Sequence, residues 1–279
     1  MSEPGEIKLI DVCFCFDITG SMGPYIKASV ETVLEVFDTL QKMYPNCTFR
    51  LSFIGYRDFG DDEQFIVIPF TENIKSVRDR ISIINAHGGN DTPEDVAGAL
   101  EKISHLEWKG DVKIVYFVTD APAHGTEYHP ITMGDRYPRG DPEGRDPKKQ
   151  VQNLASRGID FTIFRVTPQI DKMIEQFDIG YKEGAIGFFT VLDIEKQLGD
   201  TTSLYDYDES DMDRCIPSSL YEYESCIYPV RSVSDESCIR SSDGFLSEER
   251  CILPDINPIN DIFKSKLIAS TSASVERRK

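Results

Sequence analysis

Asp17, Thr19 and Ser21 stand at alternate positions in the stretch CFCFDITGSMG, one carboxylate and two hydroxyls placed just where an apolar run ends. Side chains of extended backbone alternate between faces, so the three start on one side, and the turn from Gly20 to Gly23 curls them around one point. Hard oxygen donors in that arrangement suit Mg²⁺, which takes octahedral oxygen ligands at about 2.0–2.1 Å and keeps several waters. Other chemistries compete for the same residues. A phosphate cradle of the form G-x-x-x-x-G-K-[ST] needs a lysine–hydroxyl pair that DITGSMGPYIK lacks. An aspartyl nucleophile at Asp17 calls for a second carboxylate two residues on as general acid, where this chain has Thr19. The plainest alternative is that Asp17 and Ser21 only shape a turn and cap a helix.

Further oxygen donors belong at the same place if the elements fold as their patterns predict. DVKIVYFVTD is a second buried strand that ends in an aspartate, Asp120. In open parallel sheets, ligands bind outside the carboxyl ends of the strands where the crossovers diverge. The loop HGGNDTPEDV brings Asp91 and Thr92 towards that edge. The converging set is therefore Asp17, Thr19, Ser21, Thr92 and Asp120, with Asp91 as an alternative to Thr92. Thr92 before Pro93 also reads as a plain helix N-cap. His124 and His129 share a loop with Asp120, which raises a zinc hydrolase, but the chain has no H-E-x-x-H. His124 and Tyr128 serve either the rim of the site or the folding of their loop. Asp58, Asp61 and Asp62 in GYRDFGDD read as surface acids of a solvated turn.

The elements that must position these residues alternate along the chain. LIDVCFCFD is nearly all apolar, as a strand buried on both faces should be, and Cys13 and Cys15 read as core thiols. Ile26, Val30, Val33, Leu34, Phe37 and Leu40 form a helical stripe stopped at Pro45. FRLSFIGYRDF and QFIVIPFT read as a hairpin, with Pro69 placing the second strand at a sheet edge. Helices are predicted in ENIKSVRDRISIINA, in TPEDVAGALEKISHL beginning near Pro93, in PKKQVQNLASRG and near 170–177. Strands are predicted in IDFTIFRVT and GFFTVLDI. A loop from Ala121 to Asp146 is far longer than an ordinary connection. This alternation predicts an α/β fold with a doubly wound, mostly parallel sheet and one antiparallel edge strand.

Residues 1–6 read as an N-terminal extension, 7–198 as the domain, and 199–279 as an acidic, serine-rich, irregular and poorly ordered tail. Cys215, Cys226, Cys238 and Cys251 recur in that tail at intervals of 11, 12 and 13 residues. Structural zinc sites pair ligands two to four residues apart, so this spacing does not favour one. The chain's 279 residues carry 48 acidic against 30 basic side chains, a formal charge of −18. That balance argues against nucleic acid or an anionic membrane surface as the main partner. Seven cysteines, an odd number with two in an apolar run, read as reduced thiols in a cytoplasmic protein. There is no basic-then-apolar leader and no apolar run of membrane-spanning length.

DITGSMG resembles the metal-ion-dependent adhesion site of von Willebrand factor A domains, whose signature is D-x-S-x-S with a later Thr and Asp. FDITGSMGPYI, GYRDFGD, GGNDTPEDVAGAL, VTDAPAHGTEYH and YPRGDPEGRDP together resemble the A-type domains found alongside alpha-kinase catalytic domains. The resemblance covers about Ile7 to Ile194. It implies a Mg²⁺ or Mn²⁺ site at Asp17, Thr19, Ser21, Thr92 and Asp120, with an open coordination position that a partner's Asp or Glu carboxylate fills. Thr19 departs from the family's serine but keeps the hydroxyl. The residues after the A domain lack a strand–glycine-loop pattern, so kinase activity is not carried over and no enzyme is expected. The function expected is a cation-dependent protein-interaction module. The alternatives are a metal-assisted phosphoryl or ester hydrolase using the same aspartates, and a metal-free scaffold acting through the tail.

Overall fold

The computed structural model describes residues 7–23, 26, 36–193 and 257–278. The elements in order are β1 (Leu9–Asp17), a helix described at residues 36–43 (α1), β2 (Thr48–Tyr56), β3 (Phe65–Thr71), α2 (Ile74–Ile81), α3 (Val96–His105), β4 (Val112–Thr119), α4 (Pro147–Ser156), β5 (Asp160–Arg165), α5 (Asp171–Gly184), β6 (Phe189–Asp193) and α6 (Asn257–Arg278). The strands form one sheet in the order β3-β2-β1-β4-β5-β6. All neighbours are parallel except β2 and β3, which form the expected hairpin at one edge. The register of that pair shifts between Leu51 and Phe53, opposite the segment that holds Pro69, which has no N–H to give.

The sheet separates two apolar cores. Ile10, Val12, Phe14 and Phe16 of β1 pack with residues of α1, α2 and α6. Cys13 and Cys15 point the other way, into a core shared with α3, α4 and α5. The period-2 alternation of one strand thus feeds both layers, and each buried Phe side chain contributes about 1.5–3 kcal/mol. Asp11 interrupts the apolar run of β1, yet it is fully buried. Its carboxylate accepts two hydrogen bonds from Arg50, at 2.8 and 2.7 Å, and two from the backbone of Lys109 and Gly110, both at 2.7 Å.

Chain order reverses between β1 and β4, which lie side by side although β2 and β3 separate them in sequence. Crossovers leave to opposite sides there, and the carboxyl ends of β1 and β4 flank the crevice that results.

Two expectations are corrected. α3 begins at Val96 rather than at Pro93, because Asp95 caps it by accepting a 2.6 Å hydrogen bond from Gly98 N. Thr92 is therefore not the N-cap. The segment before the cap is extended instead: Glu94 bridges to Ala123 in parallel, and its N–H donates to Pro122 O at 3.0 Å. Second, the C-terminal region is not irregular throughout, since α6 is a 22-residue helix. One compact unit comprises Met1–Thr201 together with Ile256–Lys279, so α6 belongs to the same body as the sheet. Leu267, Thr271, Ser274 and Val275 are buried among its described side chains. Tyr116 Oη of β4 donates to Leu267 O at 3.1 Å and lies 2.6 Å from Thr271 Oγ1. Arg277 and Arg278 both reach Asp160 of β5, at 3.0 and 3.2 Å. The four cysteines of the spaced repeat lie outside the described residues.

Candidate metal centre at the carboxyl edge of the sheet

Asp17 is the last residue of β1 and is fully buried. One of its oxygens accepts from Thr19 twice, from the backbone N at 2.9 Å and from Oγ1 at 2.6 Å. The other accepts from Thr119 Oγ1 of β4 at 3.1 Å. Thr19 Oγ1 in turn lies 3.4 Å from Ser21 Oγ. The alternation of D-x-T-x-S therefore curls as expected: the Gly20–Met22 turn is a single 3₁₀ turn, and the two hydroxyls come together.

Thr19, Ser21, Thr92 and Asp120 line one cavity of about 270 Å³, with Asp17 behind Thr19. Glu94 and Asp91 line it too, and Gly88, Gly89, Ala121, Thr167 and Gln169 complete it. None of the lining residues is basic. Asp120 Oδ1 is buried and has no hydrogen-bond donor, and the same is true of Glu94 Oε2. Burial, and then the charge of Asp120, push the Asp17 carboxyl up to about 7, against the pull of its hydrogen bonds from Thr19 and Thr119. Glu94 is pushed up to about 10, again by burial first and then by Asp17, Asp58, Asp61 and Asp120. Carboxylates so placed lack a positive partner, and a divalent cation supplies one. The donor set of hydroxyl and carboxylate oxygens fits Mg²⁺ or Mn²⁺.

The loop that carries Thr92 is held by Arg57 and by Asp61, an acid that sequence reading placed at the surface. Arg57 is buried and donates to the carbonyls of Glu63 (2.6 Å), Asn85 (3.1 Å) and His87 (3.2 Å). Asp61 accepts from Gly89 N at 2.9 Å and from Asn90 Nδ2 at 3.2 Å. Gly88 and Gly89 have φ of +85° and +83°, the left-handed region that favours glycine, and a Cβ on Gly89 would stand 2.9 Å from Glu94 Oε1. Gly20 N donates to Gly88 O at 3.3 Å, which joins this loop to the first. Only Asp62 of the three acids is exposed; Asp58 is fully buried.

His124 and His129 do not line the cavity, so the structure does not unite them with Asp120. His124 Nε2 meets Asp58 Oδ1 at 2.7 Å, and its Nδ1 meets Asp135 Oδ1 at 2.8 Å. His129 Nε2 meets Asp135 Oδ2 at 2.8 Å. Burial works to lower the His124 value, but the hydrogen bonds to Asp58 and Asp135 prevail and raise it. Tyr128 Oη donates to Asp146 at 3.1 Å and accepts from Lys148 N at 3.2 Å. These residues order the long 121–146 loop, with Arg145 tying Asp141 (2.7 Å) to the α3 cap Asp95 (2.9 Å).

Glu94, Asp58 and Thr119 are the members that sequence reading missed. Thr119 stands next to Asp120 and Glu94 two places after Thr92, within quoted motifs. Glu94 is drawn in by its parallel bridge to Ala123 and Asp58 is met by His124, contacts distant in sequence that have no local signature.

Comparison with known proteins agrees with this architecture. Residues 11–130 match the family model described as the von Willebrand factor A domain. The chain is 32% identical over 179 residues to the alpha-protein kinase vwkA of Dictyostelium discoideum, which covers 63% of this chain and 28% of that protein. It is 28% identical over 116 residues to a putative ariadne-like RING finger protein, R811, of Acanthamoeba polyphaga mimivirus, covering 42% of this chain and 11% of that one. The match therefore spans less than a third of either relative. Among solved structures, the vWF domain of the type V pili tip protein Mfa5 of Porphyromonas gingivalis is similar at 12% identity and a TM-score of 0.44, over 66% of this chain and 90% of that one. Sequence match, relatives and strand order together establish that the chain carries a von Willebrand factor A domain.

Proposed function

We propose that this domain is a protein-interaction module whose binding depends on a divalent cation, Mg²⁺ or Mn²⁺, held at the carboxyl edge of the sheet. Thr19, Ser21 and Thr92 are the direct donors, with Asp17 and Asp120 close by or acting through water. Thr92 is preferred to Asp91 because one Asp91 oxygen accepts from Arg136 N at 2.7 Å and is already engaged. The observation that carries the reading is Asp120 Oδ1, buried on the cavity with no donor and repelling Asp17. When bound, the cation supplies positive charge and an open position for a carboxylate from an acidic residue of the partner. The chain's own residues fix the donors: Thr119 and Thr19 hold Asp17, while Arg57 and Asp61 hold the second loop.

The protein acts inside the cell in this reading, since Cys13, Cys15 and Cys47 are free thiols. The experiment is titration calorimetry with Mg²⁺ and Mn²⁺ on the wild type and on Asp120→Asn, paired with partner capture with and without EDTA. Heat at millimolar metal that Asp120→Asn diminishes supports the site. No heat from the wild type, or capture indifferent to EDTA, overturns it.

A further inference from the structure

Beside the cavity, Asp58 and Asp91 face one another in a way that the centre above does not use. Asp58 is fully buried; its Oδ1 is taken by His124 Nε2 at 2.7 Å, while Oδ2 is buried without a donor. Asp91 shows a similar division: Oδ2 accepts from Arg136 N, and Oδ1 is buried without a hydrogen-bond donor, the Arg136 Nε standing 3.9 Å away. The two carboxyl groups are within hydrogen-bonding reach of each other. Two acceptors cannot satisfy each other, so either a proton or a cation must lie between them. Glu94, whose Oε2 is also buried and unpartnered, feels the charges of both Asp58 and Asp17.

We propose that Asp58 and Asp91 hold a second hard divalent cation, separate from the one at Thr19 and Ser21, with Glu94 between the two positions. The ligating atoms are the two orphaned oxygens, Asp58 Oδ2 and Asp91 Oδ1. His124 acts as a positioning residue: its ring lies between Asp58 and Asp135, with both nitrogens engaged, and so fixes the direction of the free Asp58 oxygen. Asp91, His124 and Asp135 each place a ligand atom within 4.8 Å of the others, but His124 would have to surrender one of its carboxylate contacts to bind metal. The oxygen-only pair therefore sets the class of ion as Mg²⁺, Ca²⁺ or Mn²⁺ rather than zinc.

The proposal stands apart from the reading of the first centre, and ion counting separates the two. Full-length protein is equilibrated with Mn²⁺, and bound metal per chain is measured for the wild type, for Ser21→Ala with Asp120→Asn, and for Asp91→Asn. Two ions in the wild type and one in each variant are expected. One ion that Asp91→Asn loses and the double variant keeps sustains the second site and refutes the first. One ion that only the double variant loses overturns the second site and assigns a shared proton to Asp58 and Asp91. Two ions unaffected by Asp91→Asn, or none at all, overturn it as well. Asp58→Asn, an isosteric change scored only if its melting remains cooperative, must reproduce the result of Asp91→Asn.

Discussion

Asp17 ends β1 and Asp120 directly follows the neighbouring parallel strand β4, at the point where chain order reverses, and the charge of Asp120 raises the protonation point of Asp17. No basic residue lines the cavity on which Asp120 opens. The first prediction concerns that imbalance. Mg²⁺ should raise the melting temperature of the wild type, and the pair Asp17→Ala with Ser21→Ala should reduce the increase. At metal a hundredfold above its dissociation constant the stabilisation is about 2.7 kcal/mol. Differential scanning calorimetry with metal and with EDTA reads it directly.

The same repulsion fixes the sign of a pH effect. In metal-free protein Asp17 titrates at about 7, whereas an unfolded aspartate titrates near 3.9. The folded state thus retains a proton that the unfolded chain releases. The stability this group contributes is complete below about pH 4 and is lost as pH rises through 7, a change of order 4 kcal/mol. Asp17→Asn removes the titrating group and nearly keeps its shape. Its stability relative to wild type, measured in urea with EDTA, should improve steadily from pH 4 to pH 8. A difference that does not vary with pH would show that Asp17 carries no such shift.

The second loop depends on two glycines. Gly89→Ala places a Cβ at φ +83° and 2.9 Å from Glu94 Oε1. The left-handed backbone alone costs about 1–2 kcal/mol for a residue with a side chain. The expected outcome is a lower urea midpoint together with weaker Mg²⁺ binding, since Glu94 and Thr92 share that loop.

The sheet and the first metal loop are legible in sequence because they are written locally. Continuous apolar runs ending in Asp17 and near Asp120 announce buried parallel strands, and D-x-T-x-S needs only one turn to converge. Pro69 marks the edge strand by what its ring forbids. What was not legible is held by contacts distant in sequence. Asp58 looks like a surface acid in GYRDFGDD until His124, 66 positions later, turns onto it. Glu94 looks like a first-turn helix acid until the Pro122 carbonyl draws its backbone into a bridge. α3 accordingly starts later than Pro93 invites.

α6 was missed for a different reason, and it supplies the last prediction. Its buried face mixes Leu267 and Val275 with Thr271 and Ser274, so an apolar-periodicity test sees half a stripe. Each buried hydroxyl has a polar group to meet it: Thr271 lies 2.6 Å from Tyr116 Oη of the sheet, and Ser274 accepts from Arg277 of its own helix at 2.9 Å, while the half-buried Ser270 lies 3.0 Å from Thr162 Oγ1 of the sheet. Leu267→Ala should cost about 2–5 kcal/mol, as other buried leucine truncations do. Thr271→Val keeps the shape but removes the 2.6 Å partner of Tyr116 Oη, and should cost about 1 kcal/mol. Ending the chain near Gly199 would remove α6 and uncover the β4 surface beneath it. Such a truncation should therefore lower the melting temperature of the domain itself, so that loss of partner binding on truncation does not by itself locate the binding site in the tail. Calorimetry of the truncated and full-length chains, beside Leu267→Ala, distinguishes these cases: an unchanged melting temperature on truncation would mean that α6 is not part of the folded core.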